Sequence, residues 1–423
     1  MVLQAAASFF VCVLAILALR PLAIAVDLID RPGGRKTHHG NVPIVGGLAM
    51  FIGVVLGMGL VPLPAPTGGA YLAACAILVT IGLVDDRFNL SPWTRLPGQI
   101  AATLLLIFGG GVAVTSLGDP FGTGPISFSG DLSLAFTVLI VTAAINAFNM
   151  LDGLDGLAGS VALTSLLAIA FLSWRSGLPV ASAVSVVLIG AISAFLVFNV
   201  PIRLNRALRC FMGDAGSTLL GFSIAWLCIQ ISEGPHPALS PVTTLWIVAL
   251  PLYELVWSTA RRVVRGVSPF KADADHFHHL LLKAGFSVRG TFLACVALTI
   301  IFAGVGLAFG HYHVSDRTSF FLLVGCGVAT IRLMYRAKWM WLVIPKPLRR
   351  FRSLRPGPDF SRPTLVSVSG DQNLPAGSSS LGSVAANPLQ VVNDVDDLEA
   401  TVRRTREADA QHRQSPPGDN PLP

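Results

Sequence analysis

Long apolar runs recur along this chain, and each is long enough to cross a bilayer as a helix. A helical span needs roughly 20 apolar residues. About eleven runs of that kind can be counted, centred near Leu14, Val54, Ile77, Leu105, Val141, Leu166, Val187, Ile224, Ile247, Thr299 and Val324. They are continuous rather than alternating, which argues against a transmembrane barrel and for helices, where every backbone amide is satisfied internally. Composition agrees: 53% of residues are hydrophobic, 13% are charged and the mean hydropathy is +0.67. Those values exclude an ordinary soluble domain. The expected fold is an all-α polytopic integral membrane protein of about 11 transmembrane helices. Arg20-Pro21 is not a small-residue cleavage site, so the first run reads as a span and not as a removed signal.

Lys and Arg set the expected orientation. They crowd the odd-numbered loops: Arg31, Arg35 and Lys36 in the first, Arg87 and Arg95 in the third, Arg203, Arg206 and Arg209 in the seventh. Arg261, Arg262, Arg265, Lys271, Lys283 and Arg289 follow in the ninth, while the intervening loops show little beyond Arg175 and Arg317. The N-terminus is therefore expected to be periplasmic and the C-terminus cytoplasmic, in the inner membrane. The formal charge of +7 is mostly this topology signal, and nucleic acid is not an expected partner. Two domains are expected. Residues 1–347 form a multi-span catalytic domain; residues 348–423, rich in Pro, Ser, Gly and Asp, form a disordered cytoplasmic tail. The six cysteines are scattered without a C-x-x-C pair and read as small buried hydrophobes.

The same odd loops hold the acidic and His clusters, although acids played no part in the orientation. Asp85-Asp86 closes the third run, Asn149-Met-Leu-Asp152-Gly-Leu-Asp155-Gly156 closes the fifth, and Gly213-Asp214 opens the eighth. Carboxylates at span ends avoid the cost of a charge at mid-depth. Gathered on one face, they point to a divalent cation and an anionic substrate. Taken singly they are weaker: a bare Asp-Asp is as often an interfacial cap, and Asp214 at a helix start is as often a capping residue. On a helix, Asn146, Asn149, Asp152 and Gly156 would form one stripe. The EF-hand pattern of alternating ligands with a terminal Glu is missing. His276, His278 and His279 lie among Lys271, Lys283 and Arg289, which favours phosphate or base contact over zinc, since neither H-E-x-x-H nor a Cys partner is present. Lys36 and Arg35 in the first loop could hold phosphates or simply anchor it. Glu254, near the end of the ninth run, reads equally as a site residue or an interfacial acid.

In order, RKTHHGNVPIVGG, GLVDDRFNL, NAFNMLDGLDGLAG, FMGDAGSTLLGF and SPFKADADHFHHLLLKAGF resemble the polyprenyl-phosphate N-acetylhexosamine-1-phosphate transferases, glycosyltransferase family 4. The closest branch is similar to the undecaprenyl-phosphate N-acetylglucosaminyl-1-phosphate transferases. The resemblance covers about Asp27–Phe286. It implies a Mg²⁺ centre (Mn²⁺ as a substitute) built from Asp85, Asp86 and Asp214, with metal contact at Asp86 and Asp214. It implies catalytic roles for Asp85, Asp86, Asp152 and Asp155, with Asp85 as base or orienter. Substrate contacts would come from Lys36, Asn149, His276, His278 and His279. The implied partners are undecaprenyl phosphate, a UDP-N-acetylhexosamine and the surrounding membrane lipid, and a homodimer is allowed.

The implied reaction passes GlcNAc-1-phosphate from UDP-GlcNAc to undecaprenyl phosphate, the first step of a lipid-linked cell-surface glycan such as the O-antigen of lipopolysaccharide. Another UDP-N-acetyl-aminosugar, of the FucNAc, QuiNAc or MurNAc-pentapeptide type, is the alternative donor. Two positions depart from relatives. Ala274 follows Asp273 where many have Arg, and Glu254 stands where many have Asp. Both bear on the donor more than on the reaction class. An ion-coupled transporter would need acids near the midplane in broken helices, and a membrane metallohydrolase would need its metal motif.

Overall fold

In a computed structural model of the chain, residues 1–31, 41–61, 65–200, 208–234, 237–268 and 276–343 are described. Lys36, Arg203, Arg206, Lys271, Asp273, Asp275 and the expected tail lie outside them.

Ten of the eleven expected span centres fall in α-helices, and Ile247 falls in a 3-10 turn. The order is α1 (Val2–Ala25), a two-strand ladder of β1 (Ile29–Asp30) with β2 (Val42–Pro43), α2 (Gly46–Met58), α3 (Ala65–Phe88), α4 (Pro92–Gly110), α5 (Gly130–Leu151), α6 (Leu157–Arg175), α7 (Pro179–Asn199) and α8 (Gly213–Ser232). Then come α9 (Pro241–Thr244), a 3-10 turn Leu245–Val248, α10 (Ala249–Val264), α11 (Phe277–Lys283), α12 (Val288–His311) and α13 (Asp316–Val343). Among the described residues, 8 helical stretches are long and apolar enough to cross a membrane, with α9 to α10 counted as one. α2 is a shorter apolar helix, and α4 and α13 are not among the 8. The protein is thus a mostly helical, polytopic membrane protein.

Local chemistry starts several helices where the sequence permits. Ser91, Ser240 and Ser287 each accept a free amide of the first turn, from Thr94, Thr243 and Gly290, and Pro92 and Pro241 occupy first-turn positions that need no N–H.

α8 is the central helix. Its apolar window is 83% buried, against 22% for the peripheral α1. It packs on α2, α3, α5 and α6. Small residues set the closeness: a Cβ on Gly82 of α3 would strike the backbone of Ala215 at the start of α8. The antiparallel run of helices carries the ends of α3, α5 and α10 and the starts of α6 and α8 to one end of the bundle. The first-loop ladder joins them there, since Phe211 N–H donates to Pro43 and Gly46 N–H to Phe211.

The opposite end is closed by a segment that the apolar pattern did not foretell. Residues 115–128 fold back, with Leu117 and Ile126 paired through their backbones. Glu233, just past α8, accepts the Thr115 and Ser116 amides and the Thr115 hydroxyl.

Gly82→Ala is expected to lower stability by about 1–3 kcal/mol through overpacking. Gly69→Ala on the same helix meets open space and is expected to stabilise by up to about 1 kcal/mol. Thermal unfolding of the purified protein in detergent checks both.

Candidate functional site

Asp86 is the first fixed point of the site. It ends α3, and its carboxylate accepts the Asp214 amide at 2.7 Å and the Ala215 amide at 3.3 Å. Those are orphan donors of the α8 first turn, so Asp86 caps α8 from another helix. Those amides are therefore used internally. Asp214, held in that turn, accepts a hydrogen bond from Asn149 on α5, and Asn149 also donates to Ser217 at 3.1 Å. Residues from α3, α5 and α8 are thereby joined in a few ångströms.

Asp85 is turned differently. Its residue is only 4% exposed. Oδ1 accepts the Leu90 amide at 2.7 Å, and Oδ2 accepts Arg95 Nη1 at 2.6 Å. The same nitrogen lies 3.6 Å from Asp214 Oδ2. Arg95, read from the sequence only as a topology marker, is thus a member of the site. A basic residue ten positions past the Asp pair, at the start of the next helix, was the available signal.

The stripe expected over Asn149–Gly156 is not continuous helix. α5 stops at Leu151 and Asp152 already leaves helical geometry. Gly153 and Gly156 carry the largest entropic cost in a helix. Asn199, at the end of α7, also offers the Gly156 amide an acceptor at 2.6 Å, while its own amide donates to Cys210. Asn146 stays on α5 and bonds Gln99 on α4. Asp155 is paired with Arg209, which stacks over Phe211. Asp152 keeps a side open to solvent. The protein around it, and then the charges of Asp214 and Asp155, push its carboxyl up to about 7.

The His cluster closes the site from α11. His276 immediately precedes that helix, at its N-cap position. The three rings are compact, with centroids 5.8 Å apart for His276 and His278 and 4.2 Å for His278 and His279. His278 is fully buried, and its Nε2 packs against Gly153, where any Cβ would collide with it. Burial, then His279 and His276, hold the His278 imidazole well below its ordinary range, so it is neutral near pH 7. Neither ring nitrogen of His278 has a hydrogen-bond partner among the described residues. Glu254 joins the cluster from α10, bonding His276 and the Phe277 amide. Lys36 of the first loop lies outside the described residues.

Beside this polar cluster an apolar cavity of about 270 Å³ runs between α5, α8 and α9–α10. Ala147 and Phe148 line it directly before Asn149, and Pro251 and Leu255 line it on either side of Glu254. Ser116 and Glu233 bound it at the far end. Its lining is almost wholly apolar and includes none of Asp85, Asp86, Asp152, Asp155 and Asp214.

Comparison with known proteins bears on the same segments. A family model described as "Glycosyl transferase family 4" matches residues 69–232. An undecaprenyl-phosphate alpha-N-acetylglucosaminyl 1-phosphate transferase of Escherichia coli (strain K12) is 36% identical over 341 residues, covering 80% of this chain and 92% of the relative. One of the same name from Salmonella typhi is 36% identical over 343 residues, with coverages of 80% and 92%. One from Haemophilus influenzae is 35% identical over 340 residues, with coverages of 79% and 94%. This chain belongs to glycosyl transferase family 4. It is an enzyme of the phosphotransferase kind.

The Asp152 carboxyl binds a proton more tightly folded, near 7, than at its ordinary 3.8. Its contribution to stability is therefore full below about 3.8 and lost as pH rises through about 7. Asp152→Asn is expected to melt higher than the wild type above pH 7 in chelator, with the gap closing toward pH 4. A pH series of melting curves measures it.

Proposed function

We propose that the protein transfers N-acetylglucosamine-1-phosphate from UDP-GlcNAc to undecaprenyl phosphate, giving undecaprenyl-diphospho-GlcNAc and UMP. One observation carries the reading: the carboxylates, Arg95 and the His cluster meet at one end of the bundle, and an apolar cavity between the same helices is lined up to Ala147 and Phe148, next in sequence to Asn149. A water-soluble polyanion and a lipid phosphate need such a boundary. The names of the relatives, which print undecaprenyl phosphate and an N-acetylglucosaminyl 1-phosphate group, favour the same acceptor and the same transferred group. The cationic end of the bundle is proposed as cytoplasmic, in an inner membrane, with eleven spans in all.

In the reaction, an oxygen of the lipid phosphate forms a bond to the sugar-linked phosphorus, and the bridging P–O bond to UMP breaks. A phosphate monoester has its second pKa near about 6, so the attacking oxygen is mostly ionised at neutral pH and needs orientation more than deprotonation. Phosphoryl transfer of this kind depends mainly on positioning and charge neutralisation. Asp152, the most exposed carboxylate of the cluster, would orient the incoming phosphate's proton or hydration. Asp85 holds Arg95 between itself and Asp214, and the guanidinium is left facing the carboxylate cluster. Arg209 neutralises Asp155 and so steadies the 152–156 turn. His278, whose two ring nitrogens have no partner among the described residues, is suited to a polar group of the nucleotide sugar.

Magnesium fits the donor set. Asp86 and Asp214 offer only hard oxygens, and the repulsion felt by Asp152 marks uncompensated negative charge. Among the described residues no group of three or more His, Cys, Asp or Glu makes a complete metal site. The ion is therefore proposed on Asp86 and Asp214 alone, with water and substrate phosphates completing its shell, a mode Mg²⁺ often uses. When bound, the ion would neutralise the diphosphate and the departing UMP.

UMP release by purified protein with undecaprenyl phosphate, Mg²⁺ and UDP-GlcNAc tests the reading. It is expected to require the lipid and to fall on the order of a hundredfold or more in Asp214→Ala. Release with only another UDP-aminosugar would move the donor; silence with every donor would sink the transferase. Ala143→Phe, which fills the cavity, is expected to raise KM for the lipid severalfold and leave KM for UDP-GlcNAc unchanged.

A further inference from the structure

Glu254 is a carboxylate with no exposure at all. Burial of an acid is tolerated only when its lone pairs are met, and here three donors meet them. His276 Nδ1 lies 2.7 Å and Ser258 Oγ 3.0 Å from Oε1, and the Phe277 amide lies 2.7 Å from Oε2. Ser258 is one helical turn beyond Glu254 and also stands 3.5 Å from His276 Nδ1. The anchor is thus built on α10, whereas the groups it holds belong to the separate short helix α11 and its entry.

We propose that Glu254 is the positioning residue of the His cluster, seating His276 through Nδ1 and fixing the start of α11 through the Phe277 amide. The assignment rests on the transferase reading, which it deepens by naming what holds the His residues for the nucleotide sugar. An ionised carboxylate can only accept. Where Glu254 accepts from His276, the proton lies on Nδ1, which fixes the orientation of the ring. The same two anchors fix where α11 begins, and α11 carries His278 against Gly153 of the 152–156 turn. Glu254 also separates Pro251 from Leu255 on the cavity wall, so one helix both lines the apolar cavity and supports the polar cluster.

Glu254→Gln keeps size but offers one acceptor and one donor where two acceptors are needed. Either the Phe277 amide loses its partner or His276 must turn to the other tautomer. In the UMP-release assay with the full-length protein, Glu254→Gln is expected to raise KM for UDP-GlcNAc about tenfold, with kcat changed less and KM for undecaprenyl phosphate unchanged. Glu254→Asp, which retains both acceptor oxygens, is expected to recover most of the loss. Glu254→Gln placed in His276→Ala is expected to add nothing further, because the two act as one unit.

Unchanged kinetics in Glu254→Gln, equal KM shifts for both substrates, or additive losses in the double variant would overturn the assignment while the transferase reading stands. A wild-type protein without lipid-dependent UMP release would overturn both. If Glu254→Gln fails to fold, as judged by gel filtration and melting, Ser258→Ala is read in the same assay. A smaller donor-specific rise in KM supports the anchor, and none overturns it.

Discussion

The first amides of a helix have no partner within it, and at the start of α8 two of them are taken by Asp86. Much of the site follows from that bond. It fixes the end of α3 against the start of α8, which Gly82 allows to approach closely. Asp214 is thereby held in the first turn and meets Asn149, which ties in α5. Asp85, the neighbour of Asp86 in sequence, points the other way and ties in α4 through Arg95. One acidic pair at a span end thus organises four helices. The membrane makes this arrangement economical, because the partners an acid needs are found where helices end and not where lipid surrounds them.

The arrangement concentrates negative charge without fully compensating it. Among the described residues Asp85 has Arg95 and Asp155 has Arg209, but Asp86 is met by two amides without a cation, and Asp152 by the surrounding protein and then like charge. A folded protein keeps such a cluster only if something outside the chain relieves it, or if its protons do. The two answers differ in use. A proton would leave a neutral cluster indifferent to phosphate, whereas a hard cation would convert it into a phosphate site. The neighbouring buried imidazole of His278, neutral and without partners among the described residues, favours a site shaped for a ligand.

The sequence made the span centres and the end-on clustering legible because both are read along the chain. The apolar runs report helices directly, and Lys and Arg sort the loops independently of the acids. What it hid was pairing between distant segments. Nothing local distinguishes Arg95 from an anchoring Arg, or Asn199 from an ordinary helix-end amide; only the fold brings them to Asp85 and to the Gly156 amide. The stripe over Asn149–Gly156 failed for a related reason. Spacing of three and four is helical, but the glycines weaken the helix and Asn199 provides an alternative partner for its backbone. Glu254 stood between two readings, and its full burial with three donors decides for a structural link to the His cluster.

The relation of cavity to cluster separates a transferase from a carrier more sharply than the acids alone. A carrier must expose one site alternately to both sides, so its far wall has to open. Here the far end of the cavity is bounded by Ser116 and Glu233, and Glu233 locks the folded segment 115–128 through three hydrogen bonds. The end toward the carboxylates is bounded by Ala147 and Phe148, one residue from Asn149. An apolar space latched at one end and set against polar groups at the other suits a lipid chain that enters from the membrane and leaves its phosphate at the cluster. Chemistry at that boundary requires neither substrate to cross.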